Sequence, residues 1–270
     1  MSAIDELFSN LRASGKKAFM PFLSAGDPSI AATARLIREL ANAGVHLFEI
    51  GFPFSDPIAD GPVIQASYTR ALEHGLKTDD IFRCVSALTH GADGVPIPLA
   101  AMASYSLIYR RGPREFVRRA ADAGFAGIIA PDLPVEEAAE LADLAREKNR
   151  SLILLVTPTT PAARAEKIVR LCSGFVYCVS VAGTTGERDR LPEALLIQLR
   201  QLRQMTDLPL CVGFGVGKPE HVRALREVAD GVIVGSAIVR RLENCTEETL
   251  DRTVREIVEF VKPLLAALNP

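Results

Sequence analysis

The chain has 270 residues, 48% of them apolar, with 31 basic against 33 acidic side chains and a formal net charge of -2. That length admits one or two domains and a large core, while the balanced charge excludes a broad nucleic-acid or anionic-membrane surface. No apolar run reaches the roughly 18 residues of a membrane span, so any anion must be held locally.

Residues 1–17 (MSAIDELFSNLRASGKK) read as a polar amphipathic helix rather than a signal peptide, which points to a cytoplasmic protein. From there, short apolar runs alternate with amphipathic stretches. Strands are expected at 18–24, 46–52, 96–102, 127–131, 152–157, 175–180, 209–213 and 231–235. Near-continuous apolar strands suit a parallel sheet buried on both faces. Helical patterns occupy 29–43, 113–123, 135–148, 161–172, 192–205, 218–228 and 247–267, with cap signals at Asp27-Pro28 and Thr159-Thr160-Pro161. Gly44 and Gly124 stand where helices end.

Eight strands alternating with helices predict one domain over 1–270: a (β/α)8 TIM barrel with an extra N-terminal helix. A doubly wound sheet would want a glycine fingerprint after its first strand, and the turn there reads Ser24-Ala25-Gly26-Asp27-Pro28. The second and third strands start about 50 residues apart, twice the usual spacing, and the excess follows the second strand. Loops after barrel strands build the active site, so this one marks where chemistry is expected.

Glu49 stands alone among apolar neighbours near the end of the second strand. It is either an ion-pair partner of a helix Arg or, as its position favours, an acid/base with a pKa raised by apolar walls. Asp60, before Gly61-Pro62, fits a helix cap as readily as a catalytic role. Asp56 reads as a turn former. Asp132, between Pro131 and Leu133-Pro134, is either catalytic or a loop brace.

The last quarter carries an anion signal. Gly213-Phe214-Gly215-Val216-Gly217 ends the seventh strand, and Gly235-Ser236 ends the eighth and opens a short helix. Glycines let backbone N–H groups approach a phosphate, and barrels commonly bind it after strands seven and eight. Residues 183–188, Gly-Thr-Thr-Gly-Glu-Arg, read as a lid hinged on glycines. The four histidines sit at element ends or in polar helical contexts. The five cysteines are odd in number, lack metal-ligand spacing, and read as reduced thiols. What remains is carboxylate chemistry on a small phosphorylated substrate.

The stretch Glu-Ile-Gly-Phe-Pro-Phe-Ser-Asp-Pro-Ile-Ala-Asp-Gly-Pro-Val-Ile-Gln (49–65) closely resembles the signature of the tryptophan synthase alpha chain family. Pro-Phe-Leu-Ser-Ala-Gly-Asp-Pro (21–28), Pro-Asp-Leu-Pro-Val-Glu-Glu (131–137), Val-Ala-Gly-Thr-Thr-Gly (181–186), Gly-Phe-Gly-Val (213–216) and Gly-Ser-Ala-Ile-Val (235–239) follow in the family's order. The resemblance implies retro-aldol cleavage of indole-3-glycerol phosphate to indole and glyceraldehyde 3-phosphate, in tryptophan biosynthesis. It makes Glu49 the general acid/base and Asp60 the carboxylate on the indole N–H side. Phe22, Leu99 or Ala100, and Ile129 would line an indole pocket, with Tyr177 beside them. Gly186, Gly215, Gly235 and Ser236 would cradle the phosphate, and Thr185 would close the lid onto Asp60. The loop around Pro53 and Asp56 would meet a tryptophan synthase beta chain in an alpha2-beta2 heterotetramer. No cofactor or metal is implied in this chain; pyridoxal phosphate would belong to the beta partner.

The sequence departs from the family in two places. Met102-Ala103-Ser104-Tyr105-Ser106 replaces the usual Met-x-Tyr-x-Asn run, and Phe125-Ala126-Gly127 lacks the usual aspartate. Alternative readings are a non-catalytic, phosphate-ligand-binding subunit that activates a beta partner, a free-standing lyase that releases indole, and another phosphate-binding barrel.

Overall fold

The structure is a computed structural model and describes residues 1–92, 94–180, 192–213 and 215–270. Helix α1 (Ala3–Ala13) starts on a capping box, with Ser2 accepting from the Asp5 N–H and Asp5 accepting from that of Ser2. Its apolar stripe, Ile4, Phe8 and Leu11, is buried.

Among the described residues, nine strand segments form one parallel sheet: β1 (Ala18–Ser24), β2 (Phe48–Gly51), β3 (Leu99–Met102), β4 (Gly127–Ile129), β5 (Ser151–Ile153), β6 (Leu155–Val156), β7 (Val176–Val179), β8 (Leu210–Gly213) and β9 (Gly231–Val234). Their order is β5-β4-β3-β2-β1-β9-β8-β7-β6. The two ends of that order, β5 and β6, are halves of one run separated only by Leu154, so the sheet closes on itself. The first half bonds to β4 and the second to β7, as the stagger of a closed barrel requires. The expected fifth strand is thus divided rather than continuous, and most of the others are shorter at their ends than anticipated.

Around the sheet lie α2 (Ile30–Asn42), α3 (Pro62–Glu73), α4 (Thr78–His90), α5 (Tyr105–Arg111), α6 (Pro113–Asp122), α7 (Ala138–Glu147), α8 (Ala162–Leu171), α9 (Glu193–Met205), α10 (Pro219–Arg226), α11 (Ser236–Val239) and α12 (Leu250–Leu268). The excess length after β2 holds two of them, α3 and α4. Gly44 and Gly124 each take φ +95° just beyond α2 and α6, the left-handed conformation that ends a helix without strain. The expected caps differ. Ser29, not Asp27, caps α2 by accepting from Ala32 N–H, and Thr160 accepts from Thr157 N–H instead of capping α8.

Side-chain alternation divides the core into two clusters. Leu23, Phe48, Ile50, Ala101, Ile128 and Val212 point outward into the helix layer. Met20, Phe22, Ala100, Ile129, Tyr177 and Ile233 fill the barrel interior. Among the described residues, no helix is long and apolar enough to cross a membrane.

Candidate active site

Glu49 is set by strand register. It pairs with Phe22 on one side and Ala100 on the other, both interior residues, while its chain neighbours Phe48 and Ile50 face the helices. Its side chain therefore points into the barrel. It is fully buried, and neither carboxyl oxygen has a hydrogen-bond partner among the described residues. The ion-pair alternative is excluded for those residues. Burial holds this carboxyl well above the usual carboxylate range, which favours its protonated form.

Asp60 sits on the loop between β2 and α3. Gly61, not Asp60, is the N-cap of α3, and no side chain caps that end. The helix-cap reading of Asp60 therefore gives way to a different arrangement. Gln65 Nε2 donates to the backbone carbonyls of Asp60 (2.8 Å) and Pro57 (3.2 Å), fixing the loop. This leaves the Asp60 carboxyl half-buried in a cleft with Tyr68, Met102, Ser104 and Asp132. Burial first, and the charge of Asp132 second, raise its pKa to about 6.

Asp132 proves to be a brace. Its Oδ2 accepts from Ser104 Oγ at 2.6 Å and its Oδ1 from Tyr105 N–H at 2.7 Å. The loops after β3 and β4 are thereby tied together at the mouth, and the negative charge is kept near Asp60.

Two glycines make room for aromatic side chains. A β-carbon on Gly213 would lie 2.3 Å from the Tyr177 hydroxyl, so Tyr177 packs directly over that backbone. A β-carbon on Gly51 would lie 2.5 Å from Cζ of Phe22 and 2.6 Å from the hydroxyl of Tyr68. Phe22 and Tyr177 are each 4% exposed, and with Ala100 and Ile129 they wall the interior around Glu49. Of the expected pair Leu99 and Ala100, only Ala100 faces inward; Leu99 joins the helix-layer core. Tyr68 is a residue that sequence reasoning missed. The available signal is the stripe Ile64, Tyr68, Ala71 at helical spacing, which by itself marks only a helix's buried face.

On the far side of the mouth, Gly215 takes φ +76° after β8, and Gly235 caps α11, of which Ser236 is the first residue. The first-turn N–H groups of such a helix lack intrahelical acceptors. Gly235 also lies against Phe22: a β-carbon there would meet the Phe22 β-carbon at 3.4 Å. Thr185, Gly186 and the expected lid over 183–188 lie outside the described residues. In the loop after β2, Pro53 is buried, Asp56 is exposed and Ile58 is 89% exposed. The five cysteines are free thiols, and no group of His, Cys, Asp and Glu suited to a metal occurs among the described residues.

A closed parallel barrel with a buried acid inside, unpaired among the described residues, and a second carboxyl at its mouth has the architecture of the (β/α)8 class of enzymes. The family model described as tryptophan synthase alpha chain matches residues 8–268. The tryptophan synthase alpha chain of Rhodopirellula baltica is 49% identical over 248 residues, covering 92% of this chain and 89% of that one. That of Carboxydothermus hydrogenoformans is 44% identical over 269 residues, covering 100% and 99%. The crystal structure of the alpha chain from Legionella pneumophila superposes with a TM-score of 0.86 at 32% identity, covering 100% of this chain and 98% of that one. The chain belongs to the tryptophan synthase alpha chain family, a lyase subunit that cleaves indole-3-glycerol phosphate to indole and glyceraldehyde 3-phosphate.

Proposed function

We propose that Glu49 and Asp60 divide the retro-aldol chemistry between them. The observation that carries this reading is the contrast between the two carboxyls. Glu49 is fully buried without a partner among the described residues, whereas Asp60 is half-buried with a pKa of about 6. Environments that push two titratable groups apart assign one as acid and the other as anion.

The protonated Glu49 delivers its proton to indole C3, leaving positive charge on the ring nitrogen. Asp60, ionised, accepts the ring N–H and offsets that charge. The Glu49 carboxylate then takes the proton of the side-chain hydroxyl. As that oxygen forms its C=O, the bond to C3 breaks and its electron pair returns to the ring. Indole and the aldehyde result, and Glu49 again holds one proton.

Phe22, Ala100, Ile129 and Tyr177 supply the apolar walls for the ring. Gly215, Gly235 and Ser236, together with Gly186 and Thr185, are the proposed phosphate cradle and lid. The exposed Asp56 and Ile58, with Pro53 beneath them, form part of the surface offered to a tryptophan synthase beta chain. In that alpha2-beta2 heterotetramer, pyridoxal phosphate belongs to the beta chain, and the assembly works in the cytoplasm.

The test is incubation of the purified chain with indole-3-glycerol phosphate, following indole with and without a beta chain. Indole release that rises with the partner is expected. No indole in either case supports the ligand-binding subunit instead, and release indifferent to the partner supports the free-standing lyase.

A further inference from the structure

The chemistry assigned above makes no use of Tyr68. Its side chain is 4% exposed, and its hydroxyl hangs directly over Gly51, against the tip of the Phe22 ring. Gly51 follows Glu49 by one pleat on the same face of β2, so the phenol oxygen overlooks the barrel interior one step nearer the mouth than the acid. Asp60 shares the wall of the cleft with it, and the facing residues from the end of β3, Ala103 and Ser104, are small.

The phenol is held rigidly. The preceding residue, Ser67, is hydrogen-bonded to Ser24 of β1 at 2.5 Å. Two residues further on, Arg70 donates twice to the buried carboxylate of Asp27. Both ties fasten α3 to the end of β1 on either side of Tyr68. Yet among the described residues none is a hydrogen-bond partner of the Tyr68 hydroxyl. Burial, reinforced by the nearby Asp60 and Glu49, pushes the phenol well above its ordinary ionisation range, so it remains a donor. A hydroxyl on a nearly buried side chain in a fixed frame, lining the cleft without a partner among the described residues, is placed to bind a ligand.

On the retro-aldol reading, the ligand's polar groups can be apportioned. Its ring N–H is itself a donor and needs an acceptor, which a phenol kept protonated serves poorly beside the anionic Asp60. Its phosphate belongs at the turns after β8 and β9. What remains is the hydroxylated chain between ring and phosphate, which must pass Glu49 for the hydroxyl proton to be removed. We propose that Tyr68 is a substrate-binding residue of this site, its hydroxyl donating a hydrogen bond to a hydroxyl oxygen of the substrate's glycerol chain. Tyr68 thereby selects a hydroxylated side chain over a plain alkyl one.

The test uses the Glu49→Gln chain, which holds substrate without consuming it, with and without Tyr68→Phe. Binding is measured for indole-3-glycerol phosphate and for 3-indolylpropyl phosphate, which keeps the ring, chain length and phosphate but lacks both side-chain hydroxyls. Removing the phenol oxygen is expected to weaken the hydroxylated ligand about tenfold and the alkyl one less than about twofold. Undiminished affinity for both ligands, or an equal loss for both, overturns the proposal. The alkyl ligand also reports on folding, since a misfolded variant loses it. Failure of the retro-aldol reading shows separately, as absence of indole from the chain with Glu49 and Tyr68 intact.

Discussion

Arg70 grips the fully buried carboxylate of Asp27 with two hydrogen bonds, Nε to Oδ1 at 3.0 Å and Nη2 to Oδ2 at 2.7 Å. Burial outweighs this pairing and leaves the Asp27 pKa raised. Replacing Arg70 by Ala strands the charge and is expected to destabilise the chain by about 2–4 kcal/mol at neutral pH. The sign with pH follows from linkage. A folded pKa above the unfolded 3.8 means that the folded state binds the proton more tightly, so stability falls as pH rises through the folded value. Without Arg70 that value moves further up. The destabilisation measured by urea unfolding should therefore shrink on acidification, and a penalty independent of pH would show that Asp27 does not ionise there.

Glu49→Gln keeps the shape of the acid but not its proton. Turnover should fall by roughly 10²–10⁴-fold with KM little changed, the range of general acid/base catalysis. The same change has a stability signature. The Glu49 pKa is raised above 4.5 by burial alone, so its contribution is full below 4.5 and lost as pH rises through the folded value. Parallel unfolding curves across pH should show the variant gaining on the parent as pH increases. Normal turnover by the variant would remove Glu49 from the mechanism.

On the proposed assignment Asp60 meets the indole N–H in its ionised form, so kcat/KM should rise with pH through about 6. Asp132 lends part of that elevation. Asp132→Asn keeps an oxygen for the Tyr105 N–H while removing the negative charge, which eases ionisation of Asp60. The acid limb of the pH profile is therefore expected to move to lower pH. A limb that stays in place would assign it to another group.

Gly213→Ala sets a β-carbon 2.3 Å from the Tyr177 hydroxyl and 2.7 Å from its ring, and that ring is enclosed by the barrel. Overpacking of this kind typically costs about 1–3 kcal/mol. Because Tyr177 must shift within the proposed ring pocket, kcat/KM should fall as well, more than it does for an alanine at the open Gly44. Thermal unfolding and steady-state kinetics check both halves.

The barrel was legible because its evidence is periodic: apolar runs, helical stripes and glycine helix ends repeat from one end of the chain to the other. Glu49 was legible because a lone carboxylate in an apolar strand has few physical excuses. Asp60 was not, since a cap and a cleft-lining carboxyl have the same local sequence; only the geometry, with Gly61 at the cap, excludes the first. The inward choice of Ala100 over Leu99 needed the register with Glu49. Tyr68 was hidden because an aromatic on a helix's buried face is ordinarily core, and what distinguishes it is the glycine beneath it on another element.

Helix α1 gives the barrel a closed floor. Ile4 presses against Gly127 and Gly174, where β-carbons would come within 2.8 and 2.9 Å of it, and Ser2 and Asp5 bond to Ser151 and the Gly174 N–H. Among the described residues, a molecule in the interior meets a stoppered end at α1 and a cleft at the opposite rim. On the proposed chemistry, a product released beside Glu49 would leave by the cleft lined by Tyr68 and the loop bearing Asp56 and Ile58. A second protein seated on that rim would therefore command the departing indole simply by where it sits.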